Sequence, residues 1–198
     1  MKEIYLLRHA ESDMTLGHFY CGISDPPLCE KGIETAVKAG EKIKGIKFDR
    51  VISSPLLRCQ MTARYALGEE TVKDMTFDER LREMNFGNWE GQKFSSDREN
   101  RPDELEKYRK NWPDFTFPGG DYVIDYFWKA GKTLMEYLEE ETEKTTVLVT
   151  HWGFIGSAIG SLTHKDPARV FNFLVMPPCA CFKITKTGKD SIEYLELI

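Results

Sequence analysis

A single α/β domain built on a parallel sheet is the fold class this sequence predicts, and three observations predict it. Two continuous apolar runs, Ile4-Tyr5-Leu6-Leu7 and Val147-Leu148-Val149, read as strands buried on both faces, as in a parallel sheet. Each leads into ionisable side chains, Arg8-His9 after the first and His151 after the second, and the carboxyl edge of an open α/β sheet is where ligands bind. Between the two runs lie segments with apolar residues at helical spacing.

The elements follow in order. After the first strand, Ala10 to Pro27 carries Gly17, Gly22 and Pro26-Pro27 and reads as an irregular loop. Glu30 to Lys44 is a helix with Ile33, Ala36, Val37, Gly40 and Ile43 on one side, closed by Gly45. Phe48 to Ile52 is a second short strand. Ser54 then suits a helix N-cap and Pro55 the first helical position, which puts Arg58 in the first turns, near free N–H groups that attract anions. Phe94 to Pro118 interleaves charges with Tyr108, Trp112, Phe115 and Phe117, and Leu105, Tyr108 and Trp112 are spaced for one helical face; packing is the reading for its aromatics. Phe117-Pro118-Gly119-Gly120-Asp121 opens a strong helix with Val123, Tyr126, Phe127, Ala130, Leu134 and Leu138 on its apolar face. Glu139 to Glu143 is a solvated charge run, and Thr145 to Thr150 a buried strand. In the tail, Ala180, Phe182 and Ile184 alternate, Lys186 to Lys189 signals a turn, and Ser191 to Ile198 is a last strand.

Composition bounds the function. The chain has 198 residues, enough for one domain. A net charge of −5 argues against a general nucleic-acid binder and makes arginines gathered around an anion more notable. No apolar run approaches the ~20 residues of a membrane span, and the first one ends at Arg8, unlike a signal peptide. Five cysteines without a Cys-x-x-Cys pair read as reduced and mostly structural, in a cytoplasmic protein; Cys179 and Cys181 are expected to share one face of a strand.

Four blocks carry a family resemblance. Arg8-His9-Ala10-Glu11-Ser12 resembles the Arg-His-Gly-Glu-Ser/Thr signature of the histidine phosphatase superfamily, which includes the cofactor-dependent phosphoglycerate mutases, and Gly22 to Leu28 resembles the segment that follows it. Ser53 to Ala63 resembles Ser-Ser-Pro-x-x-Arg-x-x-x-Thr-Ala, Leu81 to Gly91 resembles Leu-Arg-Glu-x-x-Phe-Gly-x-Trp-Glu-Gly, and Val149 to Gly153 resembles Val-Thr/Ser-His-Gly-Gly. Phe117 to Tyr122 is similar to a segment of the α-ribazole phosphatase-like branch. Departures fall at Thr15, Phe19, Asp121, Tyr122, Lys129, Trp152 and Gly156.

The resemblance implies a three-layer sandwich, with a mostly parallel sheet, helices on both faces and a small helical lid at about residues 92–118. It implies phosphoryl transfer through a phosphohistidine on His9. Arg8, Arg58 and His151 hold the phosphoryl oxygens, and Glu83 serves as general acid and then base. Neutral His9 is required, and its other ring nitrogen is expected to donate to a fixed acceptor, a backbone group. Thr15 could donate to the phosphate, whereas Phe19 cannot. Trp152 should narrow the pocket or offer a stacking face. Glu90, the rival acid, reads as structural. The alternative reading of Glu83 is a surface partner for Arg82 or Arg80.

The expected partner is a small phosphorylated metabolite, with no cofactor, no metal, no nucleic acid and no membrane. A zinc site of His9, His151 and Glu83 is disfavoured because no paired-ligand motif is present. Hydrolase is the preferred activity. A mutase shares the same core residues, and a non-catalytic phospho-ligand module would not need both His9 and Glu83.

Overall fold

The computed structural model describes residues 2–140, 145–163, 166–167, 176–186 and 192–197. In chain order the elements are β1 (Lys2–Arg8), α1 (Asp13–Leu16), α2 (Glu30–Ile43), β2 (Arg50–Ser53), α3 (Leu57–Leu67), α4 (Glu69–Val72), β3 (Thr76–Phe77), α5 (Asp97–Asn100), α6 (Pro102–Lys110), α7 (Val123–Glu139), β4 (Thr146–Thr150), α8 (Trp152–Leu162), β5 (Cys181–Lys186) and β6 (Ile192–Leu197), with short 3₁₀ turns between them. The six strands form one sheet in the order β3-β2-β4-β1-β5-β6. The pairings β1–β4, β2–β4 and β2–β3 are parallel, and β5 and β6 add an antiparallel edge.

The three-layer sandwich follows from which way successive side chains point. Ile4, Leu6, Ile52, Leu148, Phe182 and Ile184 bury into one core with Ala130, Leu134 and Leu138 of α7 and Phe154, Ile155 and Ala158 of α8. Tyr5, Leu7, Val51, Val147 and Val149 bury into a second core with Ala36 and Ile43 of α2 and Cys59 and Ala63 of α3. Because both faces are covered, the central strands read as continuous apolar runs rather than as alternation.

A third cluster of Tyr20, Met84, Trp89, Phe115, Phe117 and Val123 organises the insertion. Its polar residues are pinned there. Tyr20 Oη–H donates to Asp97 at 2.6 Å, Asp97 pairs with Arg101 at 2.7 Å, and the Arg101 guanidinium lies 4.6 Å from the Trp89 ring centroid. The aromatics of the segment thus pack, as expected.

Several boundaries differ from the sequence reading. The second strand runs Arg50–Ser53 rather than Phe48 to Ile52, because pairing with β4 begins at Arg50. Phe48 instead packs edge-on against Tyr5, ring centroids 5.2 Å apart. Ser54 is not the N-cap of α3: Leu56 holds that place in extended backbone, and the helix starts at Leu57. Trp112 stands beyond the end of α6, in a 3₁₀ turn. Cys179 lies outside β5 with φ +59°, so it does not share the strand with Cys181, although both thiols enter the same core. All five cysteines are free. Residues 141–143 of the charge run, 187–189 of the tail turn, and Ser191 and Ile198 at the ends of the last strand lie outside the described residues. Among the described residues no helix is long and apolar enough to cross a membrane.

Candidate active site

Three adjacent parallel strands end side by side, and each delivers a side chain one residue past its pairing. In the β1–β4 register Arg8 faces Thr150, so His9 and His151 leave neighbouring strands together, tied by His9 N–H donating to the Thr150 carbonyl at 2.9 Å. Their rings meet edge to face with centroids 5.1 Å apart, close to the spacing of adjacent strands. In the β2–β4 register Ser53 faces Val149, so Ser54 follows in the same row. Its Oγ lies 2.8 Å from His151 Nε2. Ser54 therefore holds a histidine rather than capping a helix.

His9 is buried, and both ring nitrogens have fixed neighbours. Nδ1 lies 2.6 Å from the Ala10 carbonyl, and Nε2 receives the Arg58 Nε–H at 3.3 Å. A carbonyl only accepts, so Nδ1 carries the hydrogen and Nε2 presents a lone pair. The expected fixed acceptor for His9 is thus a backbone carbonyl. Burial first, and then the Arg58 and Arg8 charges, push the His9 pKa well below its ordinary value and keep the ring neutral. Burial and the same arginines do likewise to His151, whose Nε2 also lies 3.4 Å from Cys59 Sγ. Burial pushes the Cys59 thiol up to about 12.

Arg58 is fully buried in the first turn of α3, and its fork is held from three sides. Nη1 donates to the Ser24 carbonyl at 2.7 Å, and Nη2 to the carbonyls of Gly22 at 2.8 Å and Cys21 at 3.2 Å. The 22–24 loop is in turn gathered by Glu90. That carboxylate accepts N–H bonds from Gly22, Ile23, Ser24 and Phe86 at 3.0 to 3.3 Å, and the Ser24 hydroxyl at 2.7 Å. Gly22 is obligatory there, since a Cβ would stand 2.0 Å from the Met84 carbonyl oxygen and 2.3 Å from Glu90 Oε1. The structural reading of Glu90 accounts for these contacts. Glu90→Ala would leave those loop donors without their acceptor, and we expect a loss of about 2–3 kcal/mol, read as a lowered urea midpoint at unchanged m-value. A loss below about 0.5 kcal/mol would show that the loop stands without it.

Glu83 is buried, and its oxygens accept from backbone: Met84 N–H to Oε1 and Gly153 N–H to Oε2, each at 3.0 Å. The second bond sets the carboxyl against the start of α8, and Gly153 permits it, because a Cβ there would fall 2.1 Å from Oε1. Burial raises the Glu83 pKa, and the opposing pull of the two N–H groups, Arg58 and Arg8 does not cancel it. The surface ion-pair alternative is overturned. Arg82 pairs with Glu79, and Arg80 with Asp78 and Glu136. Tyr126, read from sequence as core, also reaches the carboxyl: its hydroxyl lies 3.3 Å from Glu83 Oε1 while donating to the Arg82 carbonyl at 2.9 Å.

Arg8 donates from Nη1 to the Met176 carbonyl, and its buried Nε–H has no partner among the described residues. Trp152 is exposed and directly follows His151. Thr15 is placed differently from expectation. Its hydroxyl donates to the Ser12 carbonyl at 3.1 Å and accepts Ser12 N–H at 2.8 Å, closing the capping box of α1, so its one proton is committed locally. Phe19 lies under the Lys93 ammonium, 5.2 Å from the ring centroid. Sequence reasoning thus assembled His9, His151, Arg8, Arg58 and Glu83 and expected a backbone acceptor for His9, and missed Ser54 and Tyr126 as supports. Ser54 had one usable signal: it stands just past a strand end, as the two histidines do.

The described residues gather no group of three or more His, Cys, Asp or Glu side chains fit to hold a metal ion.

Comparison with known proteins places the chain in a family. The chain is 30% identical over 162 residues to the probable phosphoglycerate mutase GpmB of Salmonella choleraesuis (strain SC-B67), a match covering 82% of this chain and 73% of that protein. The phosphoserine phosphatase of Entamoeba histolytica, solved as a mutant with phosphoserine, superposes with a TM-score of 0.83 at 25% identity over 98% of this chain and 96% of the other. The α-ribazole phosphatase of Shigella flexneri shares the fold, with a TM-score of 0.85 at 21% identity over 99% and 94%. The model of the histidine phosphatase superfamily (branch 1) matches residues 4–195. A match that runs from the first strand into the last makes this chain a member of the histidine phosphatase superfamily, branch 1.

Proposed function

We propose that the chain hydrolyses small phosphomonoesters in two steps through a phosphohistidine on His9. The observation that carries this is the state of His9. It is a neutral ring with Nδ1–H anchored on the Ala10 carbonyl and an Nε2 lone pair facing buried cations.

In the first step Nε2 forms a bond to phosphorus, the ester P–O bond breaks, and the leaving oxygen takes the Glu83 proton. In the second, Glu83 takes a proton from water, the water oxygen bonds phosphorus, and the P–N bond returns its electron pair to Nε2. The Arg8 Nε–H, without a partner among the described residues, is a donor for a phosphoryl oxygen, Arg58 is a fixed cation beside the nucleophile, and His151, held through Nε2 by Ser54 Oγ, stands edge to face with His9 to meet another. The Ala10 carbonyl steadies the charge that develops on the ring. These side chains supply the positive charge themselves, so the reading requires no metal or cofactor. The 92–118 insertion acts as a lid, and five free thiols suit a cytoplasmic enzyme.

A mutase is the second reading, favoured by the name of the relative at 30% identity. It differs only in the acceptor, a substrate hydroxyl in place of water. The test is phosphate release from a panel of phosphomonoesters with and without EDTA. We expect free phosphate at a rate indifferent to the chelator. Loss of activity on chelation, restored by a divalent ion, counts against the reading. Isomerised phosphoglycerate without free phosphate points to the mutase.

A further inference from the structure

The two-step reaction leaves one feature of the site unused. An apolar cavity of about 170 Å³ is lined by Met84, Tyr108, Trp112, Phe117, Val123 and Trp152, and its wall includes Glu83 and Gly153. Trp152 comes from the first turn of α8, next to His151, while Tyr108, Trp112 and Phe117 come from the insertion. Among the described residues Glu83 is the only formally charged side chain on this wall.

We propose that this cavity receives the alcohol portion of the substrate. It would select phosphomonoesters carrying a ring-sized apolar or aromatic group over those carrying a second anion. The inference rests on the hydrolase reading for its placement: if Glu83 protonates the leaving oxygen, the atoms attached to that oxygen lie within a few bonds of Glu83, which opens onto this cavity. Its size fits one ring, since an apolar cavity of about 150 Å³ accepts a benzene-sized guest. Its chemistry disfavours a carboxylate, because among the described residues no Lys or Arg lines it and an unpaired charge buried against aromatic walls is costly.

A polar cavity of about 660 Å³ also reaches Glu83, lined in part by Arg80, Arg82, Asp125 and Lys129. Its arginines are already paired with Asp78, Glu136 and Glu79. It is the weaker candidate for a carboxylated substrate.

The test uses calorimetric binding of three phosphonates that cannot be hydrolysed: 2-phenylethyl-, ethyl- and 2-carboxyethylphosphonate. The protein should bind the phenylethyl compound at least tenfold more tightly than the ethyl one, and the carboxyethyl compound no more tightly than the ethyl one. In Trp152→Ala and Trp112→Ala the phenylethyl-to-ethyl ratio should fall toward one. Trp152 is exposed, and Trp112→Leu substitutes if the alanine variant fails to fold.

A flat ratio in wild type, a preference for the carboxyethyl compound, ratios unchanged in both variants, or failure of all three to bind would overturn the proposal. The corresponding phosphate esters separate the two readings. Selective binding without phosphate release from any ester keeps the subsite and removes the hydrolase. Phosphate release with flat ratios does the reverse.

Discussion

His9→Ala is expected to lower phosphate release on the order of 10⁴-fold or more, about 5 kcal/mol or more at 1.36 kcal/mol per decade, and to abolish the acid-labile, base-stable phosphoenzyme trapped by rapid quench. In the proposed mechanism the substitution removes the atom that bonds phosphorus, and among the described residues no second group stands ready in its place. His151 Nε2 is taken by Ser54 and Cys59, and burial holds the Cys59 thiol up at about 12, far from the reactive thiolate. The fold should survive, because His9 lies beyond the end of β1 and its backbone N–H still reaches the Thr150 carbonyl. Thermal unfolding within a few degrees of wild type, with turnover lost, is the expected pair of results. Turnover near the wild-type rate in a folded variant would remove His9 as nucleophile.

Glu83→Gln should act according to the leaving group. An alkyl alkoxide needs a proton as its bond to phosphorus breaks, whereas a nitrophenolate leaves largely unaided. We expect a loss of about 10²–10⁴ on an alkyl phosphate, and much less on the nitrophenyl burst that reports the first step. The substitution also has a cost common to both esters. The two Glu83 oxygens accept N–H bonds from Met84 and Gly153, and an amide can offer only one acceptor, so its NH₂ must face a backbone donor. The ratio between substrates is therefore the readout.

The pH profile adds a second readout. With Glu83 as the proposed acid, wild-type activity on the alkyl ester is expected to fall as pH rises through its raised pKa, and the variant should lack that alkaline limb. Equal losses on both esters would exclude Glu83 as the acid.

The sheet was legible because its central strands are buried twice over. Ile4 to Leu7 and Val147 to Val149 are unbroken apolar runs, and the polar residues ending them mark the edge where the site lies. The catalytic candidates were legible from short motifs, since their spacing is local to a strand end or a helix start. Their supports were not, because each is a tertiary contact overriding a plausible local role. Ser54 has the sequence of a helix cap and bonds His151 instead. Tyr126 keeps helical apolar spacing, yet its hydroxyl reaches Glu83. Thr15 went the other way. It was read as a ligand donor and is a local cap, as Ser12 three residues before it could have signalled. Glu90 binds a loop far away in the chain, a contact that no periodicity records.

The side-by-side endings of β1 and β4 have a consequence for how the protein is made. Residues 9–145 lie between those strands, so the β1–β4 ladder is a strongly non-local pairing. Closing so long a loop is entropically slow and is repaid only once the ladder zips. On a ribosome the first strand emerges with Arg8 and His9 long before its neighbour exists, and in a chain arrested before the fourth strand His9 lacks both the Thr150 carbonyl and the His151 ring. The paired histidines are therefore absent from partly made chains and come together only when the fourth strand joins the first.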